Sequence, residues 1–121
     1  MTYKFKDFVA NKNQQEAIMH SLAPLMILAS AGTGKTATIL HRIVYMVTQK
    51  NIDPSSILTI TYTEKAAQEL KDRIKKLIDI DNNSMNVTTF HGLCLKIVKE
   101  FGQKKGDYAL IKNEELAYQI L

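Results

Sequence analysis

The stretch Ala29-Ser30-Ala31-Gly32-Thr33-Gly34-Lys35-Thr36 constrains this chain more than any other. A compact apolar run, Leu25-Met26-Ile27-Leu28-Ala29, precedes it, and behind it Leu40, Ile43, Val44 and Val47 recur at helical spacing. That order predicts a buried strand at 25–29, a small-residue loop at 30–34 and a helix from Lys35 to about Gln49. Gly32 and Gly34 can take positive φ without strain at Cβ, which lets successive backbone N–H groups point inward at an anion. Four unpaired N–H groups and the positive dipole end at the helix start reinforce the same site. Lys35 supplies a mobile charge for the β- and γ-phosphates of a nucleotide, and Thr36 a hydroxyl ligand for Mg²⁺. The competing reading is a plain glycine turn with a surface lysine, and the strand–loop–helix context disfavours it. Residues 29–36 are therefore expected to hold ATP.

The same unit recurs twice. Ile57-Leu58-Thr59-Ile60-Thr61 reads as a second strand rich in β-branched residues. Ala67, Leu70, Ile74, Leu77 and Ile78 mark a second amphipathic helix. After a turn at Asp81-Asn82-Asn83-Ser84, a third strand, Asn86-Val87-Thr88-Thr89, leads to a helix carrying Leu93, Ile97, Val98 and Phe101. A short helix ending near His20-Ser21 precedes all three units, and Asn51-Ile52-Asp53-Pro54 breaks the chain between the first two. Serial strand–helix units predict an α/β fold with a parallel sheet, whose functional groups gather at the carboxyl ends of the strands.

Two threonine-flanked aromatics fall at such ends. Thr61-Tyr62-Thr63 leaves the second strand with two hydroxyls and a ring; hydroxyls and backbone amides there can hold phosphates, and an exposed Tyr62 can stack on a base. Thr89-Phe90-His91 repeats the arrangement one unit later. Tyr62 as core filler and His91 as a cap or packed side chain are the bland alternatives.

Composition sets the frame. The 121 residues suffice for one ordinary domain, with a net charge of +4 whose basic residues are mostly interleaved with acids. The single cysteine, Cys94, excludes an internal disulfide and any multi-cysteine metal site. No apolar run reaches the roughly 20 residues of a membrane span, and the N-terminus has no apolar h-region, so a cytoplasmic protein without a membrane anchor is expected.

Four stretches, in order, resemble the UvrD/Rep/PcrA-type DNA helicases of superfamily 1. Asn11-x-x-Gln14-x-x-Ala17-Ile18 resembles the Q motif, in which the glutamine amide reads the adenine edge; one donor beside one acceptor suits adenine N6 and N7. Ala29 to Thr36 resembles motif I, which in this family begins with Ala, and His41-Arg42-Ile43 also suits it. Thr61-Tyr62-Thr63-Glu64-Lys65-Ala66-Ala67 resembles motif Ia and Thr89-Phe90-His91-Gly92-Leu93 motif Ib. The resemblance implies a partial RecA-like P-loop domain. It implies the ATP- and Mg²⁺-binding front part of an ATP-dependent motor moving 3′ to 5′ on single-stranded DNA in replication or repair. Lys35 is the implied catalytic residue, and Thr61, Tyr62, Thr63, Thr89, Phe90 and His91 the implied DNA contacts.

The sequence departs from that pattern twice. The family commonly has Arg directly after the motif I threonine, where this chain has Ala37. Motif II, with its Asp-Glu pair, and motifs III to VI are absent. Tyr108-Ala109-Leu110-Ile111 and the acidic helix after it resemble the entry to subdomain 1B, so residues 1–104 are expected to be the first part of subdomain 1A and residues 105–121 the start of 1B. In the family the motif II strand lies between the motif I strand and the Ia and Ib strands. Its absence predicts unpaired strand edges, with rearranged pairing, self-association or a weakened phosphate site as the outcome. The fragment alone is expected to be inactive. The helicase subunit of a RecBCD/AddAB-type nuclease is an alternative, as is a small P-loop phosphotransferase, which leaves residues 61–63 and 89–91 without purpose. A non-enzymatic adaptor is disfavoured by the intact Lys35-Thr36 pair.

Overall fold

Local chemistry starts each element. In the computed structural model, which describes residues 8–80 and 84–102, helix α1 (Lys12–Met19) begins at a reciprocal cap. The Asn11 side chain accepts from the Gln14 backbone N–H and the Gln14 side chain accepts from the Asn11 backbone N–H. Helix α2 (Lys35–Gln49) starts at Gly34. The chain break expected at 51–54 is a left-handed Asn51 followed by a 3₁₀ turn, Pro54–Ser56, capped by the Asp53 carboxylate on the Ser55 N–H. Hydrogen bonds from the Ser55 hydroxyl and from its backbone N–H hold the Asp53 carboxyl below its ordinary range. Strand β1 (Leu58–Thr61) leads to helix α3 (Glu64–Leu77), and strand β2 (Asn86–Thr89) to helix α4 (Phe90–Phe101).

Strands β1 and β2 pair in parallel, Leu58 opposite Asn86 through Thr61 opposite Thr89. Helix α3 joins them and packs on both. Its buried face, Ala67, Leu70 and Ile74, meets Val87, Met85, and Leu40 and Ile43 of α2 in the main core. A smaller cluster of Ala10, Ile18 and Val44 fixes α1 against the other side of α2. α2 is thus sandwiched, which explains why its apolar stripe is broad.

The strand expected at 25–29 is not formed. Residues 22–30 carry no regular structure, and Met26 and Leu28 are 80% and 88% exposed. A strand exists only through a neighbour's ladder, and among the described residues β1 and β2 pair solely with each other. With no adjacent strand the apolar run has no ladder for its backbone, which is left to water and to single contacts such as the Lys35 ammonium on the Ala29 carbonyl. The alternation of β1 also differs from a doubly buried strand: Leu58 and Ile60 face outward while Thr59 and Thr61 are half-buried. Among the described residues the result is a mixed α/β arrangement with four α-helices and a two-stranded parallel sheet.

The chain divides into two compact units, the first ending at Thr89 and the second beginning at Phe90. The boundary expected at 104/105, the segment 105–121 and residues 81–83 of the expected turn lie outside the described residues. No helix among the described residues is long and apolar enough to cross a membrane.

Candidate functional site

The loop between residue 29 and α2 has the backbone shape an anion cradle needs. Gly32 and Gly34 take φ of +76° and +84°, the left-handed region that only glycine enters cheaply. Gly34 is the N-cap of α2, and no side chain caps that helix start. Its first-turn N–H groups are therefore presented at the loop rather than consumed by a serine or aspartate. Thr33 tightens the turn, its hydroxyl donating to the Ser30 carbonyl at 2.7 Å. The Lys35 ammonium folds back over the loop and donates to the Ala29 carbonyl at 3.0 Å. Ala29, Ser30, Ala31, Gly32, Thr33, Lys35 and Thr36 are all exposed, with Thr36 on the first turn of α2. This set fits a magnesium nucleotide. Two glycines open the cradle, and one cation and one hydroxyl sit at its rim.

Gln14 joins this loop from α1. Its Oε1 accepts from the Asn11 N–H at 2.9 Å and its Nε2 donates to the Thr33 carbonyl at 3.0 Å. Only this orientation of the amide satisfies both partners, because a flipped amide would face donor to donor and acceptor to acceptor. A second proton on Nε2 and a second lone pair on Oε1 stay available to a ligand. A Cβ at Gly34 would lie 3.0 Å from Gln14 Nε2 and 3.7 Å from the Phe8 ring, so these two side chains wall the helix start. Between α1 and residues 27–30 lies a cavity of about 330 Å³, lined by Gln14, Asn13, Ala17 and Lys35 among others. Its size is at the lower end of small-molecule sites.

Two residues of α2 support the wall. His41 is buried and stacks on Phe8, ring centroids 5.0 Å apart and planes 13° off parallel. Burial lowers its pKa, since the charged imidazolium loses hydration there. Arg42 reaches across to α1 and donates to the carbonyls of Ala17, His20 and Ser21 at 2.8–3.1 Å. Sequence reasoning identifies His41-Arg42 as a pair that suits the family and assigns neither residue a role. The signal for Arg42 is a guanidinium two helical turns beyond Lys35, set among Leu40, Ile43 and Val44 of the apolar stripe.

The expected nucleic-acid contacts are placed less uniformly. Tyr62 is 98% exposed at the end of β1, so it is not core filler. Thr61 and Thr63 have local employment: Thr61 Oγ1 donates to the Thr63 carbonyl at 2.9 Å, and Thr63 Oγ1 caps α3 by accepting from the Ala66 N–H at 3.1 Å. Thr89 is buried opposite Thr61 in the sheet register. Phe90 and His91 open α4 in the second unit, and both are exposed.

Comparison with known proteins identifies the family. The UvrD/REP helicase N-terminal domain family matches residues 10–120. The chain is similar to the ATP-dependent DNA helicase PcrA of Staphylococcus aureus and to that of Staphylococcus epidermidis. Each is 38% identical over 96 residues, which are 79% of this chain and 13% of the relative. The chain therefore spans a small part of the length of the relatives it matches.

Proposed function

This chain belongs to the UvrD/REP helicase N-terminal domain family, and from that premise we propose that it is the ATP-binding front part of a DNA helicase that moves 3′ to 5′ along single-stranded DNA. The observation that carries the reading is the loop itself, with two left-handed glycines delivering an uncapped helix start beside Lys35. In this reading the first-turn N–H groups and Lys35 take the β- and γ-phosphates, Thr36 takes Mg²⁺, and Gln14 meets the adenine edge. Magnesium would neutralise the phosphate oxygens when bound; it keeps most of its waters, so one protein hydroxyl is enough. The nucleotide's own oxygens and those waters would complete the coordination. The acidic pair and later motifs that hydrolysis requires are not in this sequence. The role assigned to these 121 residues is thus binding without useful turnover, in a cytoplasmic replication or repair enzyme.

Tyr62 is the DNA-facing group with the strongest support. A ring 98% exposed at a strand's carboxyl end is free to stack, whereas Thr61 and Thr63 have hydroxyls engaged locally and contribute through position. Stacking is worth about 1–3 kcal/mol per base and ignores sequence, as a translocating motor requires. Tyr62→Ala should therefore weaken salt-dependent binding of a fluorescent oligothymidine by about 5- to 150-fold without lowering the melting temperature. Equal affinity of the two proteins would remove Tyr62 from the track.

The uncovered apolar surface has its own consequence. Met26 and Leu28 on the unpaired segment, with Leu58 and Ile60 on the outer face of β1, are all exposed. In the family arrangement a further strand fills this region. On its own the chain is expected to self-associate there, since exposed apolar segments and free strand edges recruit one another. Sedimentation should show a mass that rises with concentration and falls on Met26→Lys. A concentration-independent monomer would contradict this.

A further inference from the structure

Helix α1 is short. It has eight residues, a single buried side chain, Ile18, and no basic residue in its last turn. A helix of this length is not stable by itself in water. Its end also lacks the usual closure. The C-cap, His20, is extended at φ −53° and ψ 149°, so no left-handed glycine turns the chain back to satisfy the final carbonyls. Those carbonyls are met from another helix. Arg42 Nη1 donates to Ala17 O at 2.8 Å and His20 O at 3.1 Å, with Ile18 O at 3.4 Å, and Nη2 donates to Ser21 O at 3.1 Å. A planar fork is the side chain suited to such a cluster, and its charge complements the negative end of the α1 dipole.

The opposite end of α1 carries Gln14, whose Nε2 lies on the Thr33 carbonyl next to Gly34. α1 is therefore tied to the α2 element at both ends, by Gln14 at the loop and by Arg42 seven residues into α2. We propose that Arg42 is a positioning residue for base recognition: its grip on the C-terminal carbonyls of α1 holds the Gln14 amide at the mouth of the phosphate loop. The proposal rests on the nucleotide reading of the loop for its ligand, but the mechanical link is present without any ligand. Loss of Arg42 removes the ties at the C-terminal end of α1 and leaves the Ile18 packing and the Gln14–Thr33 bond to orient it. Gln14 then samples other directions and the site stops distinguishing one purine from another, while the cradle at 30–36 keeps its hold on phosphate.

Two readouts on the 121-residue chain test this. The first needs no nucleotide: hydrogen exchange of the Gln14 side-chain amide, followed by NMR in the wild type and in Arg42→Ala. Removing the grip should speed that exchange about tenfold, the scale of one net hydrogen bond, with α3 backbone amides unchanged. The second is competitive binding of magnesium–ATP, magnesium–GTP and inorganic tripolyphosphate. Arg42→Ala should lose most of any preference for ATP over GTP and keep its tripolyphosphate affinity, as Gln14→Ala should. Where Arg42→Ala fails to fold, Arg42→Lys decides, because a point donor cannot span the same carbonyls: faster Gln14 exchange supports the proposal and a wild-type rate overturns it. Unchanged Gln14 exchange with an intact ATP preference overturns the role of Arg42 alone. A wild type that binds neither ATP nor tripolyphosphate overturns the nucleotide reading, and base recognition with it, whatever the exchange shows.

Discussion

Lys35→Ala is expected to weaken magnesium–ATP binding by about 10- to 150-fold, the range set by hydrogen bonds to a charged group. The same change should leave stability within about 0.5 kcal/mol. The asymmetry follows from where the lysine spends its contacts. Its side chain is exposed, belongs to neither apolar cluster, and makes one hydrogen bond, to the Ala29 carbonyl on the same loop. Water replaces that bond at little cost when the ammonium goes. A polyphosphate bound there would have no such substitute, because the other loop groups described around it, the backbone N–H donors and the Thr36 hydroxyl, are neutral. Calorimetric titration beside a thermal melt separates the two quantities. Equal loss of affinity and stability would mean that Lys35 is a structural side chain.

Gly34→Val should damage both binding and folding, and Gly32→Ala should not match it. Both glycines sit in the left-handed region, where a side chain costs roughly 1–2 kcal/mol, and more when β-branched. The surroundings then separate them. A Cβ at Gly32 meets nothing within 4 Å, so strain is its whole penalty, whereas one at Gly34 meets Gln14 Nε2 at 3.0 Å. Either the valine pushes the Gln14 amide off the Thr33 carbonyl or the helix start shifts, and both outcomes deform the site. Gly34→Val is expected to abolish detectable ATP binding and to lower the melting temperature more than Gly32→Ala. Similar effects of the two substitutions would show that Gln14 is not packed against the loop.

The helices were legible because their information is local. α2 and α3 announce themselves by apolar spacing, and the structure returns α2 at Lys35–Gln49 as expected. β1 and β2 likewise follow from β-branched runs bounded by turns. Residues 25–29 show where that logic stops. Leu25-Met26-Ile27-Leu28-Ala29 carries a strand's composition, but a strand is a property of two segments, and the pairing partner is not written in the run itself. Asn11-x-x-Gln14 shows a different limit. Its spacing is that of a capping box as much as of a base reader, and the structure uses the Gln14 amide for the cap and for the Thr33 carbonyl together. Arg42 was the hardest to read, since its function depends on how α1 crosses α2, which no residue near Arg42 in sequence specifies.

Residues 29–36 are proposed as a nucleotide phosphate site. Titrating magnesium–ATP into the isotope-labelled chain and following its backbone amides tests this directly. Saturable shifts centred on Gly32, Gly34, Lys35 and Thr36 are expected, with the Gln14 side-chain amide moving in parallel and the α3 amides still. Saturable binding with those loop amides unmoved, or no shifts at any residue at millimolar nucleotide, would contradict it.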